Sequence, residues 1–189
     1  MQIKHAVITS VDRDDLKDGG AEVWVQTIRA IRHQSPGTTM ETLIPDFQGI
    51  HKHLDRIVAV APEVISHNME TVKRLTRAVR IQARYERSLE VLRYLKEAGA
   101  NRTKTGLMLG LGETREEVIE TLHDLRAHEV DVVTLGQYLQ PSKKHLPVVE
   151  YITPEQFKEY ETIGLELGFR HVESSALVRS SYKAQKHLE

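Results

Sequence analysis

Two kinds of segment alternate along this chain. Short apolar runs rich in Val, Ile, Leu and Thr are separated by longer stretches whose apolar residues recur at every third or fourth position. The short runs are typical of strands covered on both faces, and the longer stretches are typical of helices with one apolar face. The predicted strands are residues 4–10, 39–44, 63–68, 103–110, 131–137 and 170–174.

The stretches between these strands predict helices with recognisable ends. Four helices are expected at residues 21–33, at 50–60, at 70–79, and from Ser88 to a C-terminal glycine cap at Gly99. Two further helices begin with the spacing of a capping box, in which a Ser or Thr is followed three residues later by Glu or Gln. These boxes are Thr114 with Glu117 and Thr153 with Gln156, the second with Pro154 at the first helical position.

An alternation of strand and helix along the whole chain predicts an α/β fold with one parallel sheet, either doubly wound or a barrel. The repeats are evenly spaced and no nucleotide fingerprint follows the first strand, so we favour a partial (β/α) TIM-type barrel. Both folds place ligands at the carboxyl ends of the strands. The residues of interest at those ends are Thr9, Ser10, Asp12, Asp46, Asn68, Glu70, Gly110, Gly112, Glu113, Gln137 and Tyr138.

Composition narrows the function classes. The chain has 189 residues with 26 Lys plus Arg against 27 Asp plus Glu, which gives no electrostatic case for binding nucleic acid or a membrane surface. No apolar run approaches the roughly 18 residues of a membrane span, so we expect a cytoplasmic protein. Because the sequence contains no cysteine, its own side chains supply no disulfide and no thiolate ligand for zinc or an iron–sulfur cluster.

Three motifs leave two interpretations open when each is taken alone. Residues 106–114 are a glycine-rich turn between strand and helix, or a place where backbone approaches a ligand closely. The acidic run of Asp12, Asp14 and Asp15 is a solvated loop, or a site for a divalent metal or acid–base chemistry. Residues 177–182 are a plain surface tail, or a source of serine and arginine contacts to the site.

Taken together, these segments resemble the lipoyl synthase family of radical S-adenosylmethionine enzymes over essentially the whole chain. The matching blocks are VITSVDRDDLKDGGA (7–21), LIPDFQG (43–49), SHNMETVKRL (66–75), TKTGLMLGLGET (103–114), TLGQYLQPSKKHLPV (134–148) and LVRSSY (177–182). The resemblance implies insertion of two sulfur atoms, at carbons 6 and 8 of an octanoyl chain on a lysine of a lipoyl carrier domain or glycine-cleavage carrier protein. It also implies an electron donor, S-adenosylmethionine and two [4Fe–4S] clusters, of which one cleaves the cofactor and an auxiliary one donates sulfur.

The resemblance assigns roles residue by residue. The run from Gly106 to Glu113 matches the glycine-x-isoleucine-x-glycine-x-x-glutamate pattern of a strand lying along adenine, with Met108 where isoleucine is usual. The expected cofactor contacts are Thr9 and Ser10 at the methionine amino group, Asn68 and Glu70 at the ribose, Gly106, Met108, Gly110, Gly112 and Glu113 along adenine, and Gln137 and Tyr138 near adenine or substrate. Arg179 is expected at the substrate or auxiliary site, and Ser180 or Ser181 as the oxygen ligand of the auxiliary cluster.

Two departures from the family pattern qualify this interpretation. Ser175 and Ala176 stand where Gly-Pro is usual. The family's first barrel strand and its cysteine motifs should precede Lys4, so the resemblance implies a partial barrel over residues 1–175 without its first strand and helix, followed by a tail at 176–189. We therefore expect the chain to be inactive alone, with a missing N-terminal segment as a partner. The alternatives are a non-catalytic protein that binds lipoyl carrier domains or an adenosyl ligand, and an unrelated (β/α) enzyme that uses the acidic run with a metal.

Overall fold

Six parallel strands form one sheet in this computed structural model, which describes residues 3–188. All six predicted strands are present, and each is shorter than predicted at one or both ends. Their bounds are β1 His5–Thr9, β2 Thr39–Leu43, β3 Val64–Ser66, β4 Thr103–Leu109, β5 Val132–Gln137 and β6 His171–Ser174.

The order of the strands in the sheet follows their order in the chain. A doubly wound sheet reverses its strand order at a switch point, whereas a barrel winds in one direction, so the sequential order settles the alternative in favour of the barrel. Within residues 3–188, β1 and β6 are the two edges and are not paired with each other. The fold is therefore the partial (β/α) barrel that the pattern predicts.

Helices cover the outside of this sheet, and the predicted capping boxes are confirmed. The Thr114 and Thr153 hydroxyls each accept from the backbone N–H three residues later, at 3.3 and 3.2 Å. Gly99 has a φ of +98° just after the fourth helix, as expected of a C-terminal cap. The helix bounds are α1 Ala21–Gln34, α2 His51–Ala59, α3 Thr76–Val79, α4 Tyr85–Glu97, α5 Arg115–Ala127 and α6 Pro154–Glu166.

The predicted helix at 70–79 is wrong at its start, since a 3-10 helix covers Lys73–Leu75 ahead of α3, and it is right at its end, Val79. Glu70 instead forms an isolated parallel bridge with Leu107, and regular α-helix begins at Thr76. The Glu70 N–H donates to the Gly106 carbonyl at 2.9 Å, and the Glu70 carbonyl accepts from the Met108 N–H at 2.8 Å. Backbone bonds to β4 therefore displace the helical bonds that the apolar spacing suggests. The following helix also starts earlier than predicted, at Tyr85 instead of Ser88.

The two faces of the sheet differ in chemistry. Leu107 and Leu109 of β4 pack in an apolar cluster with the surrounding helices. Lys104, which alternates with them, faces the lumen of the barrel, where its ammonium group binds the Glu41 carboxylate. The inner strands β2 to β5 are largely buried on both faces as predicted, whereas the edge strands β1 and β6 are mostly half-buried. The lumen face of the sheet is polar and charged. No helix within residues 3–188 is long and apolar enough to cross a membrane.

The C-terminal tail packs against the lumen instead of lying on the surface. Val178, Ala184 and His187 are buried, with exposed fractions of 2, 4 and 0%. The Ser180 carbonyl accepts from Lys104 Nζ, and the His187 carbonyl accepts from Arg102. The plain surface tail is therefore excluded for the described residues, while the domain boundary at residue 175 stays a prediction.

Candidate functional site

A cavity of about 240 Å³ opens at the carboxyl ends of the middle strands. Strands β4 and β5, the segment that follows β3 and the C-terminal tail all contribute to its wall. Its lining includes Asn68, Gly106, Met108, Gly136, Arg179 and Ser180. Five predicted site residues, Asn68, Gly106, Met108, Arg179 and Ser180, line this cavity together with Glu70 and Gln137, which also belong to the predicted site. The structure thus brings together residues that are more than 100 positions apart in the sequence.

Glycine is required at two positions of this wall because other chain segments pass within contact distance. A Cβ on Gly106 would lie 3.0 Å from Asn68 Oδ1 and 3.0 Å from Thr134 Oγ1. A Cβ on Gly136 would lie 2.3 Å from the Val178 carbonyl oxygen. The first glycine lets β4 present bare backbone to the cavity, and the second lets the tail approach β5.

Asn68 and Glu70 form a hydrogen-bonded pair beside Gly106 of β4, hereafter the glycine strand. The Asn68 amide donates to the Glu70 carboxylate at 3.0 Å. Burial raises the pKa of Glu70, and the hydrogen bond from Asn68 opposes that rise. The Glu70 φ of +66° is held by its two backbone bonds to β4. This pair presents an amide and a carboxylate in fixed positions, which suits bidentate bonding to adjacent hydroxyls.

Asn68 and Glu70 also line a second cavity of about 330 Å³ that extends toward β1 and β2. Thr9 and Ser10 lie on its opposite wall, and both are exposed. Within residues 3–188, no side-chain hydrogen bond holds either hydroxyl. The residues predicted for the methionine group, Thr9 and Ser10, and those predicted for the ribose, Asn68 and Glu70, therefore line the same cavity. Only the ribose pair is held in place by hydrogen bonds within the protein.

Arg80 lines the second cavity, although the sequence pattern does not predict it as a site residue. Its guanidinium donates to the Asn68 carbonyl at 3.0 Å and to Ser88 Oγ at 3.3 Å. Arg80 follows directly on the last residue of α3, and no feature of the sequence pattern indicates that it faces a cavity.

His67 and Ser88 support Arg80 from behind. His67 Nε2 lies 2.9 Å from Ser88 Oγ, and His67 Nδ1 lies 3.0 Å from the Ile44 carbonyl. A carbonyl can only accept, so the geometry assigns the imidazole proton to Nδ1 and leaves Nε2 to accept from Ser88. Burial lowers the pKa of His67 to about 4, which keeps the ring neutral near pH 7.

Glu113 holds the glycine turn that follows β4. Its carboxylate accepts from the Gly110 N–H at 2.5 Å and from the Leu111 N–H at 2.9 Å. Gly110 and Gly112 have φ values of +103° and +100°, a region that favours glycine. The structure thus gives Glu113 a role in shaping the turn, while its predicted contact with the cofactor stays a prediction.

Gln137 and Tyr138 have structural partners at the end of β5. The Gln137 amide donates to the Leu109, Tyr138 and Glu150 carbonyls, and its oxygen accepts from the Ile152 N–H. The Tyr138 hydroxyl donates to the Leu146 carbonyl at 2.8 Å. Both side chains therefore anchor the long loop after β5, and their predicted contacts with adenine or substrate stay predictions.

The tail brings Arg179 and Ser180 to the cavity but leaves Ser181 outside it. Ser180 is half-buried and lines the cavity, whereas Ser181 is exposed. The Arg179 guanidinium is exposed at the rim, where it donates to the Val178 carbonyl at 2.6 Å. Geometry thus separates two serines that sequence reasoning leaves equivalent.

The acidic run after β1 does not form a metal site in the described residues. Arg13 donates to both carboxylate oxygens of Asp15 at 2.7 Å. No group of three or more His, Cys, Asp or Glu side chains between residues 3 and 188 is arranged to hold a metal ion. The metal-dependent alternative thus finds no ligand set here, and the solvated-loop interpretation is the better one.

The residues of this cavity have two features that suit S-adenosylmethionine. They do not supply the thiolate ligands of an iron–sulfur cluster. Gly106 offers a strand surface without a side chain for a flat ring, and Asn68 with Glu70 offers paired groups for a ribose. A [4Fe–4S] cluster needs several thiolates, and the sequence has none. Ser180 is a single oxygen donor at the cavity.

Comparison with known proteins agrees with this geometry. The family model for the Radical SAM superfamily matches residues 1–125, and the chain belongs to that superfamily. Lipoyl synthase from Flavobacterium johnsoniae is 74% identical over 188 residues, which is 100% of this chain and 65% of the relative. Lipoyl synthase from Porphyromonas gingivalis is 57% identical over 100% of this chain and 67% of the relative. Within the superfamily, the chain is a member of the lipoyl synthase family, as the resemblance implied.

The chain spans about 65% of the length of such relatives. Solved structures support the fold alone, because their sequence identities are low. The hydrogenase maturase HydG has a TM-score of 0.72 at 14% identity, covering 98% of this chain and 44% of that one. Coproporphyrinogen III oxidase from Escherichia coli has a TM-score of 0.64 at 16% identity, covering 87% and 41%.

Proposed function

We propose that this chain is the part of a lipoyl synthase that holds S-adenosylmethionine and the octanoyl chain, and that it is inactive alone. The reaction is insertion of sulfur at carbons 6 and 8 of a protein-bound octanoyl-lysine. The observation that carries the proposal is one cavity shared by the glycine strand at Gly106, the pair Asn68 and Glu70, and Ser180 of the tail. The identity to lipoyl synthases supports it independently.

The proposed cofactor site has two ends. Gly106 and Met108 accommodate adenine, Asn68 and Glu70 bond the ribose hydroxyls, and Thr9 with Ser10 bonds the methionine amino group. Gly110, Gly112 and Glu113 shape the turn at the adenine end, and Gln137 with Tyr138 holds the loop above it. When bound, the cofactor supplies the radical that removes hydrogen from the alkyl chain. The role of the protein is to fix the reacting atoms and exclude water.

The substrate side of the cavity is lined by Met108, Leu139 and Val178, which offer apolar contacts to an alkyl chain. Ser180 is the proposed oxygen ligand of the auxiliary cluster, since it faces the cavity and Ser181 does not. Arg179, at the rim, is proposed to contact the substrate or the auxiliary site. The cysteine ligands of both clusters are proposed to come from a segment outside these 189 residues, which we include among the partners.

The other proposed partners are an octanoylated lipoyl domain or glycine-cleavage carrier protein and an electron donor. A cytoplasmic location stays a prediction. One relative, from Nematostella vectensis, is a mitochondrial lipoyl synthase that is 74% identical over 188 residues.

Calorimetric titration of the purified chain with S-adenosylmethionine tests the cofactor site. We expect binding by the wild type, and loss of about tenfold or more in affinity in Gly106→Val, because the new side chain displaces Asn68. Gly37→Val is the matched control, since a Cβ on Gly37 meets no heavy atom within 4 Å. Equal affinity in the two variants contradicts the proposed adenine strand.

A grafted enzyme tests the reaction. The chain replaces the corresponding region of the Flavobacterium johnsoniae lipoyl synthase, and the product on an octanoylated lipoyl domain is followed by mass spectrometry. We expect a gain of two sulfur atoms, which is lost in Ser180→Ala and kept in Ser181→Ala. A folded but inactive graft, combined with calorimetric binding of the octanoylated domain by the chain alone, favours a non-catalytic binding protein instead.

A further inference from the structure

A charged residue, Lys104, is among the largest fully buried side chains within residues 3–188. Its side chain is 1% exposed, and that of its partner Glu41 is 0% exposed. A buried ion pair is costly unless each charge is well hydrogen-bonded. Ser66 meets part of this requirement by donating from Oγ to Glu41 Oε1 at 2.9 Å.

The ammonium group of Lys104 has three protons, and their acceptors can be counted. Glu41 Oε1 and Oε2 accept two bonds, each at 2.9 Å. The third acceptor is the backbone carbonyl of Ser180, at 2.5 Å and 76 residues away in the sequence. The one ammonium proton of Lys104 that Glu41 does not accept is therefore donated to the C-terminal tail.

The contact holds the backbone of the tail at Ser180. Ser180 lines the cavity beside Gly106 and Gly136. The tail is packed on the other side as well, since Val178 is buried and its carbonyl lies where a Cβ on Gly136 would be. Fixing the carbonyl at one residue of a packed segment fixes the direction of its side chain.

We propose that Lys104 is a positioning residue, whose third ammonium proton holds the Ser180 carbonyl so that the Ser180 side chain points into the cavity. Glu41 aligns the ammonium group, and Ser66 aligns Glu41. The significance of this contact for cluster binding rests on the proposed function. The contact itself does not.

The absence of native cysteines gives a direct test on the chain as it stands. Ser180→Cys and Ser181→Cys each introduce a single thiol, and its rate of modification by a thiol reagent reports how firmly that position is held. We expect slow labelling at position 180 and fast labelling at position 181, because the first is packed in the cavity and the second is exposed.

Two double variants that replace both charged residues by neutral ones separate the effect of the hydrogen-bond donor from the effect of the buried charge. Glu41→Gln with Lys104→Met removes the donor to Ser180, and Glu41→Gln with Lys104→Gln keeps an amide donor in the same uncharged surroundings. In the Ser180→Cys background, we expect the methionine pair to label faster by about tenfold or more. The glutamine pair should stay close to the starting rate. Arg102→Met, which frees the tail at His187, should leave position 180 slow.

Equal labelling rates at position 180 in the folded methionine and glutamine pairs would overturn the proposal. Should the methionine pair not fold, a scalar coupling between Lys104 Nζ and the Ser180 carbonyl carbon in the unmodified chain decides the matter. Its absence, with the coupling to Glu41 present, also overturns the proposal. Failure of the proposed function appears separately, as loss of S-adenosylmethionine binding in the calorimetric titration with labelling unaffected.

Discussion

The middle of the sheet and its β1 edge carry residues predicted for the same cofactor, yet the structure holds them very differently. In the middle, Glu70 is tied to β4 by two backbone bonds and to Asn68 by a side-chain bond. At the edge, Thr9 and Ser10 are exposed, with no side-chain hydrogen bond in the described part of the chain. On the proposed function, the ribose and adenine end is thus pre-organised, and the methionine end is held by hydroxyls that the protein leaves unconstrained.

The largest expected effect comes from Gly110→Ala in the middle region. A Cβ there would lie 2.3 Å from both Gln137 Nε2 and the Glu150 carbonyl oxygen, at a φ of +103°. We expect a loss of roughly 3 kcal/mol or more in the free energy of unfolding, measured by urea denaturation. Gly99→Ala is the matched control, because it has a φ of +98° with no heavy atom within 4 Å of the new Cβ. It should cost about 1 kcal/mol. Similar losses of stability in the two variants would show that the structure around Gly110 accommodates a new side chain as easily as an exposed position does.

The next effect is a pH dependence that originates at His67. Its folded pKa of about 4 lies below the usual value of 6.5. Between these values the unfolded chain binds a proton that the folded chain excludes, so the free energy of unfolding falls as the pH falls through this window. The loss from this group totals roughly 3 kcal/mol and is complete below the folded pKa.

Urea denaturation from pH 7 to pH 4 on the wild type and on His67→Asn measures this contribution. The asparagine keeps a donor for the Ile44 carbonyl but does not titrate. We expect a flatter pH dependence in the variant. His187, whose pKa burial lowers to about 3, contributes equally to both proteins and cancels in the difference. Parallel curves would mean that His67 is not held neutral behind Arg80.

A smaller loss of stability is expected for Gln137→Met, a variant that shows whether Gln137 supports the structure or contacts a ligand directly. Gln137→Met has a similar volume but leaves the carbonyls of Leu109 and Glu150 and the N–H of Ile152 without this partner. We expect a loss of roughly 2 kcal/mol in the free energy of unfolding. Gln140→Met removes one exposed bond to His145 and should change little. A variant of full stability with weakened S-adenosylmethionine binding would instead make Gln137 a direct ligand contact.

The smallest effects on stability are expected at the edge. Thr9→Val and Ser10→Ala should each change the free energy of unfolding by less than about 0.5 kcal/mol, since they remove exposed hydroxyls that have no hydrogen-bond partner between residues 3 and 188. On the proposed function they should still weaken S-adenosylmethionine binding in a calorimetric titration. A large loss of stability in either variant would remove the contrast between edge and middle.

The sequence predicted more of the fold than of the site. The strands were located because apolar runs bounded by polar turns persist in any packing, and the capping boxes at Thr114 and Thr153 were located because they are local. The start of the helix predicted at Glu70 is wrong, because backbone bonds from Glu70 to β4 override the local periodicity there. The sequence does not predict Arg80 as a site residue, because its contacts with Asn68 and Ser88 exist only in the folded chain.

By itself, the sequence determined the alternation of strand and helix, the glycine positions of β4, and membership of the lipoyl synthase family through motifs that stand in a fixed order. Tertiary structure alone decided which face of β4 is charged, which of Ser180 and Ser181 meets the cavity, and how Lys104 uses its third proton. The physical reason is the distance along the chain over which each kind of interaction acts. Periodicity and caps act over a few residues, whereas a buried ammonium group takes its acceptors from whichever segments the fold brings within 3 Å, and here one of them lies 76 residues away.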